Sequence, residues 1–176
     1  TDACIDDAHA SALDEFVSAG YHGEMSWIAD KKTRRRDPRA LWPNARTVIM
    51  LGCNYGPDHN PLESLAARSS GNISVYARGR DYHDVLKGRL KQIASRFSAR
   101  TGWQVKVFVD TAPLMEKPLA AEAGIGWQGK HTNLVSRDYG SWLFLGAIVT
   151  DGQLDADDPS EDSCGSCTAC LDICPT

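Results

Sequence analysis

Four cysteines fall within eleven residues at the end of this chain, as Cys164-x2-Cys167-x2-Cys170-x3-Cys174, and Pro175 follows the last of them. Thiols this close make poor disulfide partners, because a disulfide needs separated backbones with facing Cβ vectors. They make good cluster ligands. Thiolates two residues apart reach one iron–sulfur cluster from a single tight loop, and a Cys-Pro at this spacing typically serves the other cluster of a two-cluster ferredoxin-like domain. Gly165, Ser166 and Ala169 are small enough to let backbone amides approach the sulfurs. Structural zinc is the competing reading, since CxxC pairs bind it too. Three evenly spaced cysteines plus Cys-Pro favour iron–sulfur. If Cys174 serves a second cluster, the motif leaves both clusters short of ligands. The chain is therefore expected to be the N-terminal part of a longer protein.

The other two cysteines, Cys4 and Cys53, are isolated and read as small hydrophobes. This usage suits a reducing, cytoplasmic setting. The first residue is Thr1, and no basic segment followed by an apolar one precedes the domain, so no signal peptide is expected. No stretch approaches the roughly 20 apolar residues of a membrane span. The 176 residues suit one domain with a sizeable core. The net charge of −4 argues against a protein that coats nucleic acid indiscriminately. Two local basic zones stand out against it: Lys31, Lys32, Arg34, Arg35, Arg36 and Arg39, then Arg78, Arg80, Lys87, Arg89 and Lys91. On charge alone they read as solvated helix faces.

Residues 8–19 read as a helix with Leu13, Phe16 and Val17 on one side, stopped by Gly20. Residues 47–52 (TVIMLG) read as a short buried strand. Residues 54–71, rich in Gly, Pro, Asn and Ser, predict a long loop. Residues 84–100 are the clearest helix, with an apolar stripe of Leu86, Leu90, Ile93 and Phe97 ended by Gly102. Val105, Val107 and Val109 alternate as in a strand. Pro113 is expected to open a helix running to about Ala123 and stopped by Gly124. Residues 141–150 form another apolar strand. Helices alternating with apolar strands place the fold in the α/β or α+β class.

Gly124-Ile-Gly126-Trp-Gln-Gly129-Lys130 matches both GxGxxG and GxxxxGK. Such loops bind phosphate only when they follow a strand and open a helix, and these glycines follow a helix. The phosphate-loop pattern also needs Ser or Thr where His131 stands. What remains is a close-approach loop whose amides could line a large flat ligand. Asp110 ends a strand just before Thr111-Ala112-Pro113. That is a usual place for ligand chemistry. It is equally the place for Asp110 or Thr111 to cap a helix. In an apolar, closed site Asp110 could hold a proton near neutral pH. Asp81 or Asp84 reads as the cap of the long helix, while Tyr82 and His83 could face a pocket rim.

Several stretches together resemble the epoxyqueuosine reductase family. They are Arg35-Arg36-Asp37-Pro38, Tyr76-Ala77-Arg78-Gly79-Arg80-Asp81-Tyr82-His83, Val109-Asp110-Thr111-Ala112-Pro113-Leu114-x-Glu116-Lys117, Ala123-Gly124-Ile125-Gly126-Trp127-x-Gly129-Lys130, Tyr139-Gly140-Ser141 and the cysteine motif through Thr176. The resemblance runs from about Phe16 to the end. It implies a cytoplasmic, cobalamin-dependent enzyme that uses base-off cobalamin and two 4Fe–4S clusters. Such an enzyme reduces epoxyqueuosine to queuosine at the wobble position of a tRNA anticodon loop, the last step of queuosine synthesis. Reductive dehalogenases are relatives.

The implied architecture is an α/β (α+β) cobalamin-binding domain over residues 1–155, with a mixed central sheet flanked by helices. The start of a ferredoxin-like domain follows over residues 156–176, and its remainder and a C-terminal helical-repeat region would lie beyond. Carried over, Asp110 matches the proton donor, and Arg35 and Ser74 match cobalamin contacts. Further corrin contacts fall along residues 129–135 and 141–145, at Lys130, His131, Leu134, Ser141 and Leu145. Position 74 is Ser where related sequences can carry Cys, and His131 stands where Asn is common. Cys164, Cys167 and Cys170 match ligands of the first cluster, and Cys174 of the second. The expected partners are tRNA and an unidentified electron donor, with no membrane and no need for an oligomer. A corrinoid dehalogenase and a non-catalytic electron-transfer module are the alternatives. The basic zones favour RNA over the first, and the second would need no Asp110.

Overall fold

A computed structural model describes residues 1–175; Thr176, the last residue of the family-like terminal motif, lies outside them. The helices are α1 (Asp7–Ser18), α2 (Ser26–Asp30), α3 (Lys32–Arg36), α4 (Tyr82–Thr101), α5 (Glu116–Glu122) and α6 (Ala169–Asp172). The strands are β1 (Thr47–Asn54), β2 (Val105–Phe108), β3 (Trp127–Gln128), β4 (Leu134–Val135) and β5 (Leu143–Thr150).

The central sheet has the order β1-β5-β2. Both neighbours of β5 run antiparallel to it, with Thr47 opposite Thr150, Asn54 opposite Leu143 and Val105 opposite Thr150. The sheet is therefore antiparallel, where a mixed one was expected. Its strands nevertheless read as continuous apolar runs, because both faces are covered. Val48, Met50, Ala147 and Val149 pack with Leu114, Leu119 and Ala120 on the α5 side. Ile148 packs with Leu86, Leu90, Ala94 and Val109 on the α4 side. Gly146 sets the helix spacing, since a Cβ there would lie 2.6 Å from the Leu90 side chain.

The long helix is Tyr82–Thr101, capped by Asp81, whose carboxylate accepts from the His83 amide, and closed by left-handed Gly102. Its buried stripe is Leu86, Leu90 and Ala94. Ile93, expected in that stripe, is 45% exposed. Leu90 and Ala94 fall four and eight residues after Leu86, and the small Ala94 lets the helix lie close to the sheet. The segment between β1 and α4 contains two 3-10 stretches, Pro61–Ala66 within the loop expected at 54–71 and Val75–Ala77 beyond it. The helix expected from Pro113 begins at Glu116, with Met115 at its N-terminus and no side-chain cap. Neither Asp110 nor Thr111 caps it. The glycines after α5 have a local explanation. Gly124 is left-handed, and a Cβ on Gly126 would lie 2.1 Å from the Val135 carbonyl oxygen, so glycine lets β3 cross β4. Among the described residues no helix is long and apolar enough to cross a membrane.

Candidate active site

A cleft of about 620 Å³ opens at the C-terminal end of β2. That volume lies within the roughly 300–1,000 Å³ usual for small-molecule sites. Leu13 and Phe16 of α1 form one wall, and Leu143, Phe144 and Leu145 of β5 form another. The apolar side expected of α1 thus faces the cleft. Tyr82, Asp110, Glu116 and Lys117 supply the polar groups.

Asp110 is one of two non-glycine residues with positive φ among the described residues, at +50°. Two contacts hold it in this uncommon conformation. The Tyr82 hydroxyl donates to Asp110 Oδ2 at 2.8 Å, and the Asp110 amide donates to Glu116 Oε1 at 3.0 Å. His83 Nε2 lies 3.6 Å from the same Oδ2. The Tyr82 ring is stacked between Phe144, at 4.1 Å and 3°, and His83, at 4.0 Å. Burial, and then the bond to Asp110, raises the Tyr82 phenol well above its ordinary range, so it stays a donor.

The Asp110 side chain is 62% exposed. The closed, apolar surroundings considered for it are absent. They occur instead at Glu116, which is half-buried. Burial, and then the Asp110 charge, pushes the Glu116 carboxyl up to about 7, against the bond from the Asp110 amide and the nearby Arg35 cation. Sequence reading did not single out Glu116 or Phe144. The spacing of Glu116, six residues after Asp110 beyond a proline turn, was the available signal.

Arg35 lies near both carboxylates. Burial pulls its guanidinium below the ordinary value, and Asp110 and Glu116 oppose that pull. It stacks 5.0 Å above the Trp27 ring, and its buried Nε has no hydrogen-bond partner among the described residues. Leu145 lines the cleft. His131 Nε2 sits 3.4 Å from Ser141 Oγ, while His131 Nδ1 accepts from the Asn133 amide. Leu134 is buried in the core, 5% exposed, so only its backbone can meet a ligand. Ser74 is exposed ahead of the 3-10 turn Val75–Ala77 and is not part of the cleft wall. Lys130 reaches away from Asp110 and donates to the carbonyls of Gly165 and Cys167 at 2.7 and 2.9 Å.

The cysteine segment is a surface turn. Cys164 and Cys170 are half-buried, Cys167 and Cys174 exposed, and left-handed Gly165 makes the first bend. Among the described residues, no three His, Cys, Asp or Glu side chains converge as a metal site. The donor set still suits iron–sulfur. Trp127 Nε1 donates to Cys164 Sγ at 3.3 Å, a bond typical of cluster thiolates. The cleft likewise suits a ligand with polar edges that would cover the apolar β5 wall.

The basic zones are partly spent on the fold. Lys32 and Arg36 both pair with Asp14, and Arg39 pairs with Asp37 at 2.9 Å. Arg78 donates to the Ile73 carbonyl. Lys31, Arg34, Arg80, Lys87 and Lys91 are exposed and form no ion pair among the described residues.

These features define a class: an α/β domain with a tyrosine–carboxylate cleft beside a cysteine-rich segment. Residues 35–111 match the family described as Epoxyqueuosine reductase QueG, DUF1730. The chain is 45% identical to an epoxyqueuosine reductase of Synechocystis, over 97% of its own length and 57% of the relative's. It is 42% identical to that of Vibrio cholerae, over 96% and 46%. It superposes in full on 47% of a crystal structure of epoxyqueuosine reductase with an epoxyqueuosine-modified tRNA-Tyr stem loop, at 27% identity and TM-score 0.82. It also superposes in full on 46% of the Bacillus subtilis epoxyqueuosine reductase, whose catalytic aspartate loop is swung out of the active site, at 28% identity and TM-score 0.79. The chain is similar to epoxyqueuosine reductases, and it spans about half the length of the relatives it matches.

Proposed function

We propose that this chain carries the catalytic cleft of an enzyme that reduces epoxyqueuosine to queuosine at the wobble position of a tRNA anticodon loop. The observation that carries the reading is the Tyr82–Asp110 hydrogen bond at the mouth of the cleft, braced through the Asp110 amide by Glu116. The family relatives and the tRNA-bound neighbour support the choice of substrate.

The net reaction takes up two electrons and two protons, and the epoxide oxygen leaves as water. Base-off cobalamin would supply the low-valent reductant and 4Fe–4S clusters its electrons. Arg35 and Leu145 are the contacts best supported for the corrin, with Ser141, His131 and the Leu134 backbone along the adjoining segment. Ser74 and Lys130 remain part of the proposed contact set through the family likeness alone. Cys164, Cys167 and Cys170 would hold the first cluster and Cys174 contribute to the second. The cobalamin domain would span residues 1–155 and the ferredoxin-like domain begin at 156.

The protein's own part is proton delivery and placement. Tyr82 occupies Oδ2 of Asp110 and leaves Oδ1 to meet the departing oxygen. The target base must leave the loop stack, which single-stranded anticodons permit at modest cost. Exposed Lys31, Arg34, Arg80, Lys87 and Lys91 can meet phosphates. The enzyme would act in the cytoplasm as a monomer fed by a separate electron donor.

The test uses the full-length protein reconstituted with cobalamin and iron. Turnover of epoxyqueuosine-bearing tRNA, with both chromophores in the visible spectrum, is expected. Reduction of organohalides without turnover of that tRNA would replace this reading with a dehalogenase. Absence of corrin absorption after reconstitution would leave only an electron-transfer module.

A further inference from the structure

The β3–β4 hairpin and the residues just beyond it touch the cysteine segment in three ways. The Trp127 indole donates to Cys164 Sγ at 3.3 Å in a half-buried position. The Lys130 ammonium is held 2.7 and 2.9 Å from the carbonyls of Gly165 and Cys167. Arg137 Nη2 donates to Ser163 Oγ at 2.9 Å, and its guanidinium lies over the Trp127 ring. The hairpin also borders the cleft through Gln128 and Asn133. Lys117 ties it there, with Nζ 2.9 Å from the Thr132 carbonyl and 3.1 Å from Asn133 Oδ1. One small hairpin is thus fastened to the cleft and to the cysteine segment.

An N–H aimed at a cluster thiolate stabilises negative charge on sulfur. The reduced cluster carries one more negative charge than the oxidised one, so the bond favours reduction and raises the potential. A fixed ammonium beside the loop acts in the same direction. Partial burial keeps water from competing for the indole N–H.

We infer that Trp127 and Lys130 are positioning residues for the cluster bound by Cys164: they raise its reduction potential and dock it on the hairpin that borders the cleft. The inference rests on the reading of Cys164 as an iron–sulfur ligand. It gives the GxGxxGK-like stretch a role other than phosphate binding. The Trp127 indole N–H and the Lys130 charge, set among its glycines, address the electron donor to the site.

The test is a redox titration of the reconstituted full-length holoprotein, followed by electron paramagnetic resonance. Trp127→Phe keeps a ring and removes the N–H. Lys130→Gln removes the charge. Each is expected to shift the midpoint of the Cys164-bound cluster to more negative potential. A tenfold weaker preference for the electron corresponds to about 59 mV in a one-electron couple. Lys130→Arg should restore the wild-type midpoint. A loaded cluster with an unchanged midpoint in both removal variants would overturn the inference while leaving the cluster reading intact. A wild-type protein that binds zinc and no iron–sulfur cluster would overturn the cluster reading itself. If Trp127→Phe fails to assemble a cluster, Lys130→Gln and its Arg rescue carry the same test.

Discussion

Between Thr47 and Thr150 the chain is pinned by strand pairing and by helices on both faces of the sheet. From Gln153 to Pro175 it lies along the surface. There it is held by isolated bonds, such as the Leu154 amide to Thr47 Oγ1, the Ser160 amide to the Ala121 carbonyl, and the groups of the β3–β4 hairpin. Leu171 and Ile173 stay exposed in that segment, Ile173 by 84%. Free energy of folding is therefore concentrated in one region and the motif cysteines, the proposed cluster ligands, in the other, and the cleft sits at the rim of the stable part. Each region should be breakable without the other.

The largest effect should come from the rim. Asp110→Asn keeps the shape and removes the acid, so turnover on epoxyqueuosine tRNA should fall by about 10²–10⁴-fold. The melting temperature and both chromophores should stay unchanged. Retained turnover would remove the proton-donor role. In the core, Leu90→Ala opens a cavity where the side chain is 1% exposed. The expected loss is about 2–5 kcal/mol by chemical denaturation. A variant stable enough to purify should still bind iron at Cys164.

Glu116 couples stability to pH. Its folded value of about 7 lies above the ordinary carboxyl value of 4.5, so the ionised form is disfavoured in the folded state. Below 4.5 both states hold the proton and there is no penalty. Stability contributed by the neutral carboxyl is lost as pH rises through about 7, by up to roughly 3 kcal/mol at 1.4 kcal/mol per pKa unit. Glu116→Gln should flatten that decline in denaturation curves from pH 5 to 8. An unchanged pH profile would show that Glu116 ionises without cost. The smallest effect is expected at Asp14. Asp14→Asn frees Lys32 and Arg36 at little cost in stability, because the exposed pairs are screened by solvent. Because it adds available cations near the cleft, it should tighten tRNA binding slightly at low salt.

Much of the stable region was legible in the residues. The long helix, the two long strands and the helix ending at Gly124 announce themselves by period and by glycine stops. Strand direction did not. Apolar runs on β1 and β5 suggest a sheet buried on both sides, and nothing in the pattern separates parallel from antiparallel pairing when helices cover both faces. The late start of α5 was also hidden. Proline at 113 is a good helix opener, but the left-handed Asp110 turn and the return of the Glu116 side chain to the Asp110 amide keep 111–115 irregular. Asp110 itself was legible as a strand-end carboxylate, whereas its open surroundings were not, because exposure depends on where α1 and β5 end. Lys130 was the least legible. Its neighbours in sequence border the cleft, and only the fold shows that its ammonium reaches the cysteine loop.

None of the residues buried in the sheet core is a cysteine of the terminal motif. If the proposed clusters bind there, the domain can fold first and receive them afterwards on a finished scaffold.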